Sequence, residues 1–335
     1  MKPPMESIWN DEALAAKRPV LVDVGASGDA PQIWTSIAQH SVFVGFDPDL
    51  RAVREITGGR FHREIMINEA IVADESATKV KLFLTQSPYC SSTLRPDMAS
   101  LSNYLFADLF KVVGEVEVSA TTLNKVVRRF EFSGIDWLKL DTQGIDLRLF
   151  QSLEPATRSG VLALDIEPGL IDAYLGEDLF SEAHSYLAKS GFWLAHLDVK
   201  ETVRIRQTTL DWILAGQSPQ DAKTITDELD KSPGWTEATY LRTIESLRQR
   251  NAGRRDYLLL WLFALMLGRF GFAFDVTAAF AQDFKNDHLS LRLKAESLEQ
   301  LRASKVSKPS HRKPSSLRGL RAVLKSFTFR RRSPS

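Results

Sequence analysis

The segment Val20–Asp29, VLVDVGASGD, decides the fold of this chain because it joins a buried strand to a tight turn. Val20–Val24 is apolar except for Asp23, which is typical of a central strand in a parallel sheet. Gly25 follows at once and allows the backbone to turn and to approach a ligand closely. An ordinary tight turn between a strand and a helix uses the same glycine. The segment therefore predicts a strand and a turn. It predicts a binding site only if other motifs of the sequence support one.

Outward from this segment, strands alternate with helices over residues 15–215. The predicted strands are 42–46, 64–73, 79–85, 137–140, 161–166, 192–197 and 211–215, and the predicted helices are 31–39, 145–153 and 179–187. This alternation predicts an α/β layered fold with a mainly parallel sheet. The last two strands leave no room for a crossover helix between them, which predicts an antiparallel edge.

The pattern changes from Ser218, where helical spacing replaces strand character. The segments with this spacing are 219–231, 235–250, 255–267, 272–285 and 289–303. We predict an N-terminal segment (1–17), an α/β domain (18–216), a helical extension (217–303) and a basic, disordered tail (304–335). The apolar run 257–267 is shorter than the ~20 residues that span a membrane, which favours a buried helix. The extension is expected to cap the sheet or to mediate homo-oligomer formation. The alternative is a docking module for a polysaccharide-assembly partner.

Charge is divided unevenly along the 335 residues, although 43 Lys+Arg nearly balance 42 Asp+Glu. Ten of the basic residues follow residue 304 with no acidic residue among them, so the preceding body is acidic. A basic amphipathic tail suits an anionic membrane surface, and a solvated terminus or an acidic partner are its alternatives. The first 18 residues lack an apolar signal core. We therefore expect a cytoplasmic protein with peripheral contact at the inner membrane. The single cysteine, Cys90, excludes an internal disulfide and a cysteine-based zinc site.

A second acid–turn element supports a nucleotide-like ligand. The predicted second strand ends in Gly45-Phe46-Asp47-Pro48, which places Asp47 24 residues after Asp23. An acid at the tip of strand two suits a bidentate contact to a ribose diol. A glycine turn after strand one and an acid after strand two, in this order, favour a cofactor that contains a nucleoside.

The glycine spacing favours S-adenosylmethionine over NAD. A dinucleotide fingerprint needs G-x-G-x-x-G to hold a pyrophosphate, whereas this chain has Gly25-x-x-Gly28 followed by Asp29. An acid there would repel a pyrophosphate but suits a cofactor that carries an ammonium and a sulfonium. None of the six tyrosines has a lysine four positions later, which argues against a short-chain dehydrogenase.

Four separate motifs resemble one known family. They are VLVDVGASGD, GFDPD, the stretch from Asn68 to Asp74 with its later Ser-Ser pair, and WLKLDTQGID at 137–146. Together they resemble the FkbM-type S-adenosylmethionine-dependent methyltransferases over about residues 18–215. The last motif is similar to the family's K-I-D-V-E-G-x-E signature, with Gln143 at the position of its first Glu. Asp47 likewise stands where the family more often has Glu.

The resemblance implies a class I methyltransferase fold, a Rossmann-like and mainly parallel sheet with an antiparallel edge. It places the methionine part of the cofactor against the first turn, the ribose at strand two and the adenine near the third strand. The cofactor-binding residues that it implies are Asp23, Gly25, Ala26, Ser27, Asp47, Asn68 and Ala70. Asp141, at the tip of the fourth central strand, would face the transferred methyl group and the acceptor.

Two carboxylates are the catalytic candidates. Asp141 is the first candidate for a general base or an acceptor-orienting group, and Glu167 at the next strand tip is the second. The alternatives are that Asp141 only stabilises its turn and that Glu167 caps a helix or is solvated. We predict no resident metal, although Asp141 together with Glu167 or Asp165 could bind a divalent cation. Of the histidines, His184 is predicted to be structural and His196 is a weaker site candidate.

The sequence argues against nucleic acid as the methyl acceptor. It has no N/D-P-P-Y/F motif for base amino groups, and Cys90 follows Tyr89 and not the proline that cytosine-C5 methylation requires. The family resemblance favours an O-methyltransferase that acts on a sugar, a polysaccharide unit or another small-molecule hydroxyl. The alternative is a non-catalytic cofactor-fold module in a membrane-proximal glycan-biosynthesis complex. Gln143, the shifted glycine turn and the basic tail favour that alternative.

Overall fold

A computed structural model describes residues 6–25, 30–46, 54–285 and 287–306. Three predicted cofactor residues, Ala26, Ser27 and Asp47, lie outside these ranges. So does nearly all of the basic tail, from residue 307 onward.

Up to residue 242 the described residues form both strands and helices. The strands are β1 (Val20–Val24), β2 (Val42–Phe46), β3 (Arg54–Thr57), β4 (Arg63–Ile67), β5 (Ala70–Ile71), β6 (Lys79–Thr85), β7 (Val112–Thr121), β8 (Trp137–Leu140), β9 (Ala163–Ile166), β10 (Phe192–Val203) and β11 (Lys231–Arg242). The helices up to this point are α1 (Glu6–Trp9), α2 (Glu12–Ala16), α3 (Met98–Leu101), α4 (Leu123–Arg129), α5 (Asp146–Ser152), α6 (Pro155–Gly160), α7 (Phe180–Lys189), α8 (Gln207–Leu214) and α9 (Pro219–Asp227). After β11 come α10 (Ile244–Gln249), α11 (Arg254–Met266), α12 (Phe270–Asp283) and α13 (Leu289–Val306). Short 3-10 helices span Gln32–His40, Pro88–Cys90 and Leu105–Phe110.

Eight strands make one mixed sheet in the order β10-β11-β9-β8-β1-β2-β4-β3. The five central strands, from β9 to β4, pair in parallel. β11 is antiparallel to both of its neighbours, β9 and β10, and β3 is antiparallel to β4. A second, three-stranded sheet has the order β5-β7-β6. The large, mostly parallel sheet confirms the α/β prediction and is consistent with a methyltransferase fold.

The apolar helix α11 covers one face of the main sheet. All residues from Tyr257 to Met266 are buried, and they share a core with Leu21, Trp137 and Leu241 of the sheet. The rings of Trp137 and Phe263 lie 4.8 Å apart between centroids. A helix that is apolar all round must be enclosed on every side, and here the sheet, α12 and α13 enclose it. The prediction of a buried helix at 257–267 is confirmed.

The opposite face of the sheet is covered by helices α4, α5 and α7. Val22, Leu138 and Leu164 of the central strands pack there against Leu149 and Leu187. Successive residues of each strand point to opposite faces, so the same strands serve both cores. The sheet therefore lies between two helical layers.

The prediction of a helix over 235–250 is wrong for 235–242, because β11 occupies residues 231–242, and it is confirmed only for α10 at 244–249. Trp235, Ala238 and Leu241 lie three apart, which favoured the helix. Both faces of this strand are covered, since Ala238 and Tyr240 belong to one core and Leu241 to the other. A strand buried on both faces lacks the alternation of apolar and polar residues by which a strand is recognised in a sequence. The main sheet thus continues beyond residue 216.

The prediction of a strand over 211–215 is also wrong, because these residues belong mostly to helix α8. The strand that pairs antiparallel with β10 at this edge of the main sheet is instead β11. β11 lies inside the sheet, next to β9. Trp212 is 77% exposed while Leu210 is buried. The apolar run that suggested a strand is thus half of an amphipathic helix.

Within the described ranges, no helix combines the length and the apolar character that crossing a bilayer requires.

Candidate active site

The chain reverses its direction of sheet building between β1 and β8. It adds β2 and β4 on one side of β1, and then β8 and β9 on the other. Ligands of open α/β sheets bind in the crevice beyond the carboxyl ends of the strands at such a point. We call this place the switch crevice. It is bounded by Gly25 after β1, Asp141 after β8 and Glu167 after β9.

Gly25 and Asp141 bring two backbones into close contact at the base of the switch crevice. Gly25 has φ +93°, and a Cβ there would overlap the carbonyl oxygen of Asp141. The Asp141 amide donates a hydrogen bond of 3.0 Å to the Val24 carbonyl. Only glycine combines a positive φ angle with the lack of a side chain that this close contact requires. The turn that the sequence singled out therefore lies directly against the first catalytic candidate.

A row of charged side chains crosses three neighbouring strands below the switch crevice. The strand register places Asp23 beside Lys139, and Lys139 beside Asp165. The Lys139 ammonium lies 3.0 Å from a carboxylate oxygen of Asp23 and 3.7 Å from one of Asp141. Asp165 accepts hydrogen bonds from the indole of Trp137 and the hydroxyl of Thr239. Lys139 is thus the cation of a largely buried acidic cluster.

Burial and charge act in opposite directions on this row. Burial lowers the proton affinity of the Lys139 ammonium, but the carboxylates of Asp23 and Asp141 outweigh it, so the pKa of Lys139 is raised. Burial raises the pKa of the Asp23 carboxyl, and the Lys139 ammonium reduces that rise. Lys139 therefore remains charged and holds Asp23 and Asp141 together.

The loop after β8 fixes the Asp141 side chain. The Gln143 side-chain amide donates a hydrogen bond of 2.9 Å to the Asp141 carboxylate. The Tyr174 hydroxyl donates to the side-chain oxygen of Gln143 at 3.1 Å, and the Ser92 hydroxyl donates to the Gln143 carbonyl at 2.6 Å. Gln143 itself has φ +56°, a left-handed conformation that these contacts hold in place. A glutamate at this position could not donate to Asp141, so Gln143 has an orienting function here.

Glu167 is a carboxyl in the switch crevice whose surroundings favour its protonated form. It is half-buried, and among the described residues no side chain or backbone N–H donates to its carboxylate. Burial raises the pKa of Glu167 well above its ordinary value, and the nearby carboxylates of Asp141 and Glu237 raise it further. Its proton affinity is therefore shifted toward neutral pH, where a general base is most effective.

Asp146 accepts hydrogen bonds from two backbone amides of the site. It is buried, and it accepts hydrogen bonds from the Thr142 amide at 3.0 Å and the Glu167 amide at 2.8 Å. It thereby ties the loop after β8 to the tip of β9. The two catalytic candidates are held in one place by this carboxylate.

The remaining predicted residues lie farther from the centre of the switch crevice. Asn68 follows β4, two strands away from β1, and Ala70 belongs to β5 of the small sheet. His184 is exposed on α7, where it contacts the Tyr240 hydroxyl at 3.2 Å, and His196 is exposed on β10. The structure thus brings together Asp23, Gly25, Asp141 and Glu167. It does not bring either histidine to them.

An aromatic wall borders the switch crevice next to Glu167. Trp235 bridges to Gly169, two residues beyond Glu167. The half-exposed rings of Phe106 and Trp235 stack with centroids 6.1 Å apart and planes 8° apart. Phe110 packs edge-on against Phe106 on one side and Tyr174 on the other, which links the wall to Gln143. An apolar surface thus adjoins the carboxylates.

Sequence comparison finds a match to a family model. Residues 38–194 match the family model described as Methyltransferase FkbM domain. These residues, slightly less than half of the chain, are similar to an FkbM methyltransferase domain. The match confirms the predicted resemblance and supports a methyltransferase as the activity. Comparison with the curated proteins and with the solved structures gave no match.

The FkbM domain match covers most of the switch crevice. It includes Asp141 and Glu167 and extends into β10, and it begins after β1 and the glycine turn. Asp23 and Gly25 therefore enter the site on structural grounds. In the part of the chain that the structure describes, no group of three or more His, Cys, Asp or Glu side chains is arranged to hold a metal ion.

Two residues of the site carried no predicted function. Lys139 is the cation between Asp23 and Asp141, and Tyr174 fixes Gln143. A lysine inside the apolar strand WLKL is a signal that could have identified the first, since a buried lysine needs a partner. Tyr174 lies in a loop with no such signal.

Proposed function

We propose that this chain uses S-adenosylmethionine to methylate a hydroxyl group of a sugar, a polysaccharide unit or another small molecule. The proposal rests on the switch crevice, where a glycine turn and three carboxyl groups surround one ammonium group beside the FkbM signature. The methyltransferase activity is supported by the family match. The identity of the cofactor and the kind of acceptor are inferred.

The donor set of the switch crevice fits a cationic cofactor. Asp23, Asp141 and Glu167 outnumber the single cation, Lys139, so a ligand with positive charge relieves their mutual repulsion. At Gly25 the absence of a side chain lets the turn pack directly against the Asp141 backbone. Asp23 and the Gly25 turn would hold the methionine end, and Asn68 would lie toward the adenine. S-adenosylmethionine supplies a methyl group on a sulfonium, ready for displacement by an oxygen nucleophile.

The environments of Asp141 and Glu167 suggest different tasks for the two carboxyl groups. Asp141 is held by Gln143 and lies near Lys139, which suits a fixed carboxylate that orients the acceptor hydroxyl. Glu167 has the raised pKa and no donor among the described residues, which suits a base that accepts the hydroxyl proton. Positioning of the acceptor can contribute ~7–11 kcal/mol and a general base ~10²–10⁴ in rate.

The aromatic wall supports a sugar as the acceptor. Phe106 and Trp235 are half-exposed, and together they offer a flat apolar surface beside Glu167. The apolar face of a sugar ring packs against such a surface while its hydroxyls reach the carboxylates. A sugar held in this way presents a hydroxyl to Glu167.

A turnover assay that detects S-adenosylhomocysteine tests the proposal. The wild-type chain is incubated with S-adenosylmethionine and a panel of sugars, glycan fragments and aromatic alcohols. We expect turnover with at least one hydroxyl acceptor, and loss of turnover in Asp141→Asn with the cofactor still bound. Asp47→Ala is expected to weaken cofactor binding mainly. Unchanged turnover in Asp141→Asn would contradict its proposed task.

A non-catalytic module in a glycan-biosynthesis complex is the alternative from the sequence. The structure removes one of its arguments, because Gln143 is integrated into the site and orients Asp141. The family match, whose description is that of a methyltransferase, gives the alternative no support. Cofactor binding without turnover on any acceptor would favour it.

A further inference from the structure

A basic cavity of about 310 Å³ lies at the edge of the main sheet opposite the switch crevice. Arg242 ends β11, and its amide bonds to the Leu162 carbonyl at the start of β9, whereas Glu167 follows the other end of that strand. We call it the basal cavity. Its polar lining comprises Arg158, Ser159, Ser190, Arg242, Ser246, Gln249 and Arg250.

Arg242 is a buried cation without a counter-ion. It is 4% exposed, and its guanidinium donates to the carbonyls of Val161, Ser190 and Arg158 at 2.7–2.9 Å. Among the described residues no carboxylate pairs with it. Burial and the neighbouring Arg250 guanidinium lower the pKa of Arg242 to about 9. Two guanidinium groups thus face one space and repel each other.

Arg250 lines the basal cavity and has buried hydrogen-bond donors without partners in the part of the chain that the structure describes. Its Nη1 pairs with Asp256 at 3.0 Å. Its Nε and Nη2 are buried and have no hydrogen-bond partner within the described ranges. Buried donors are nearly always paired, and an unpaired one costs about 1–3 kcal/mol. The planar guanidinium fork suits the oxygens of a carboxylate or phosphate.

We propose that the basal cavity binds a phosphate-type oxyanion through Arg250 and Arg158, with the charge of Arg242 behind them. No Asp or Glu is present among the described residues that line it, and Asp256, which pairs with Nη1 of Arg250, is not one of them. The hydroxyls of Ser190 and Ser246 supply further donors. The volume is at the lower end of the range for ligand pockets, about 300–1,000 Å³, which fits phosphate, pyrophosphate or a small phosphoester. This site is independent of the proposed methyl transfer.

Titration calorimetry and thermal unfolding of the full chain test this site. Sodium phosphate and sodium pyrophosphate are compared with sodium chloride at equal ionic strength. We expect saturable binding, and a rise in Tm of about 4 °C at 100-fold excess over Kd. Arg250→Gln should weaken binding about tenfold or more, because charge-assisted hydrogen bonds are lost. Arg248→Gln is the matched control, since Arg248 lies on α10 two residues before Arg250, is exposed and pairs with Asp283.

A second variant keeps the test decisive if Arg250→Gln does not fold. Arg158→Gln retains the backbone carbonyl that Arg242 uses and should also weaken binding severalfold. Tighter binding of pyrophosphate than of phosphate indicates a diphosphate or phosphoester as the occupant, and equal binding indicates free phosphate. The proposal is overturned if the wild-type chain responds to neither anion. It is equally overturned if both variants respond as the wild-type chain does.

Discussion

Replacing the buried lysine of the site gives the sharpest test of its electrostatics. Lys139→Met keeps the length of the side chain but removes the charge that lies 3.0 Å from Asp23, which is 3% exposed. Removing one partner of a buried pair typically destabilises a protein by ~3–5 kcal/mol. Because the Lys139 side chain is 24% exposed, water offsets part of this loss, and we expect about 2–4 kcal/mol.

The matched control is the exposed pair of Lys79 and Glu117. Its ammonium–carboxylate distance is 2.7 Å, shorter than in the buried pair, but both side chains are more than 60% exposed. Exposed pairs contribute about 0–1 kcal/mol, so Lys79→Met should change the free energy of unfolding little. Urea unfolding followed by circular dichroism measures both variants. Equal losses would show that burial does not set the strength of the Lys139–Asp23 pair.

A double-mutant cycle and pH dependence complete the test. Asp23→Asn removes the unpaired carboxylate, so the double variant with Lys139→Met should regain about 1–3 kcal/mol relative to additive losses. Burial raises the pKa of Asp23 in the folded state, so protonation at low pH favours folding. Lys139→Met should therefore cost less stability at pH 5.5 than at pH 8. Additive losses, or a cost that is independent of pH, would refute the buried ion pair.

Three further predictions follow from perturbed groups. The turnover rate should rise with pH as Glu167 loses its proton, with a midpoint above the ordinary glutamate pKa. Glu167→Gln should lower turnover ~10²–10⁴-fold, and its pH–rate profile should lack this rise. Burial raises the pKa of Glu177 to about 7, so its protonation stabilises the fold at low pH and this contribution is lost as pH rises through about 7. Glu177→Gln should therefore be more stable than the wild-type chain at pH 8, by about 1–3 kcal/mol in urea unfolding, and no more stable at pH 5; the same gain at both pH values would contradict the shift. Burial raises the pKa of the Cys90 thiol to about 11, so iodoacetamide at pH 7.5 should alkylate it about 100-fold more slowly than an ordinary free thiol, whereas equal rates would show an accessible thiolate.

Most of the fold could be predicted from local patterns of apolar residues in the sequence. The apolar runs of Val20–Val24 and 257–267 belong to elements that are buried on all sides, and such elements are apolar whatever their neighbours are. The error at 231–242 has the same origin. A strand covered on both faces shows no period of two, so its type is decided by its partners β9 and β10. Those partners are distant in sequence.

The strand tips of the site were predictable for a similar reason. Parallel strands end at one edge of the sheet, so acids that follow β8 and β9 must lie near the glycine turn. The pairing of Lys139 with Asp23 depends on the register of two strands more than 110 residues apart. The hydrogen bond from Tyr174 to Gln143 depends on a loop conformation. Neither follows from spacing along the chain.

Titration calorimetry with S-adenosylmethionine tests the central claim most directly. The cofactor is titrated into the wild-type full-length chain, with NADH in a parallel titration as the comparison ligand. The account predicts saturable one-to-one binding of S-adenosylmethionine, with Kd on the order of micromolar, and no saturable binding of NADH. Absence of S-adenosylmethionine binding, or saturable binding of NADH in its place, would contradict the assignment of the switch crevice.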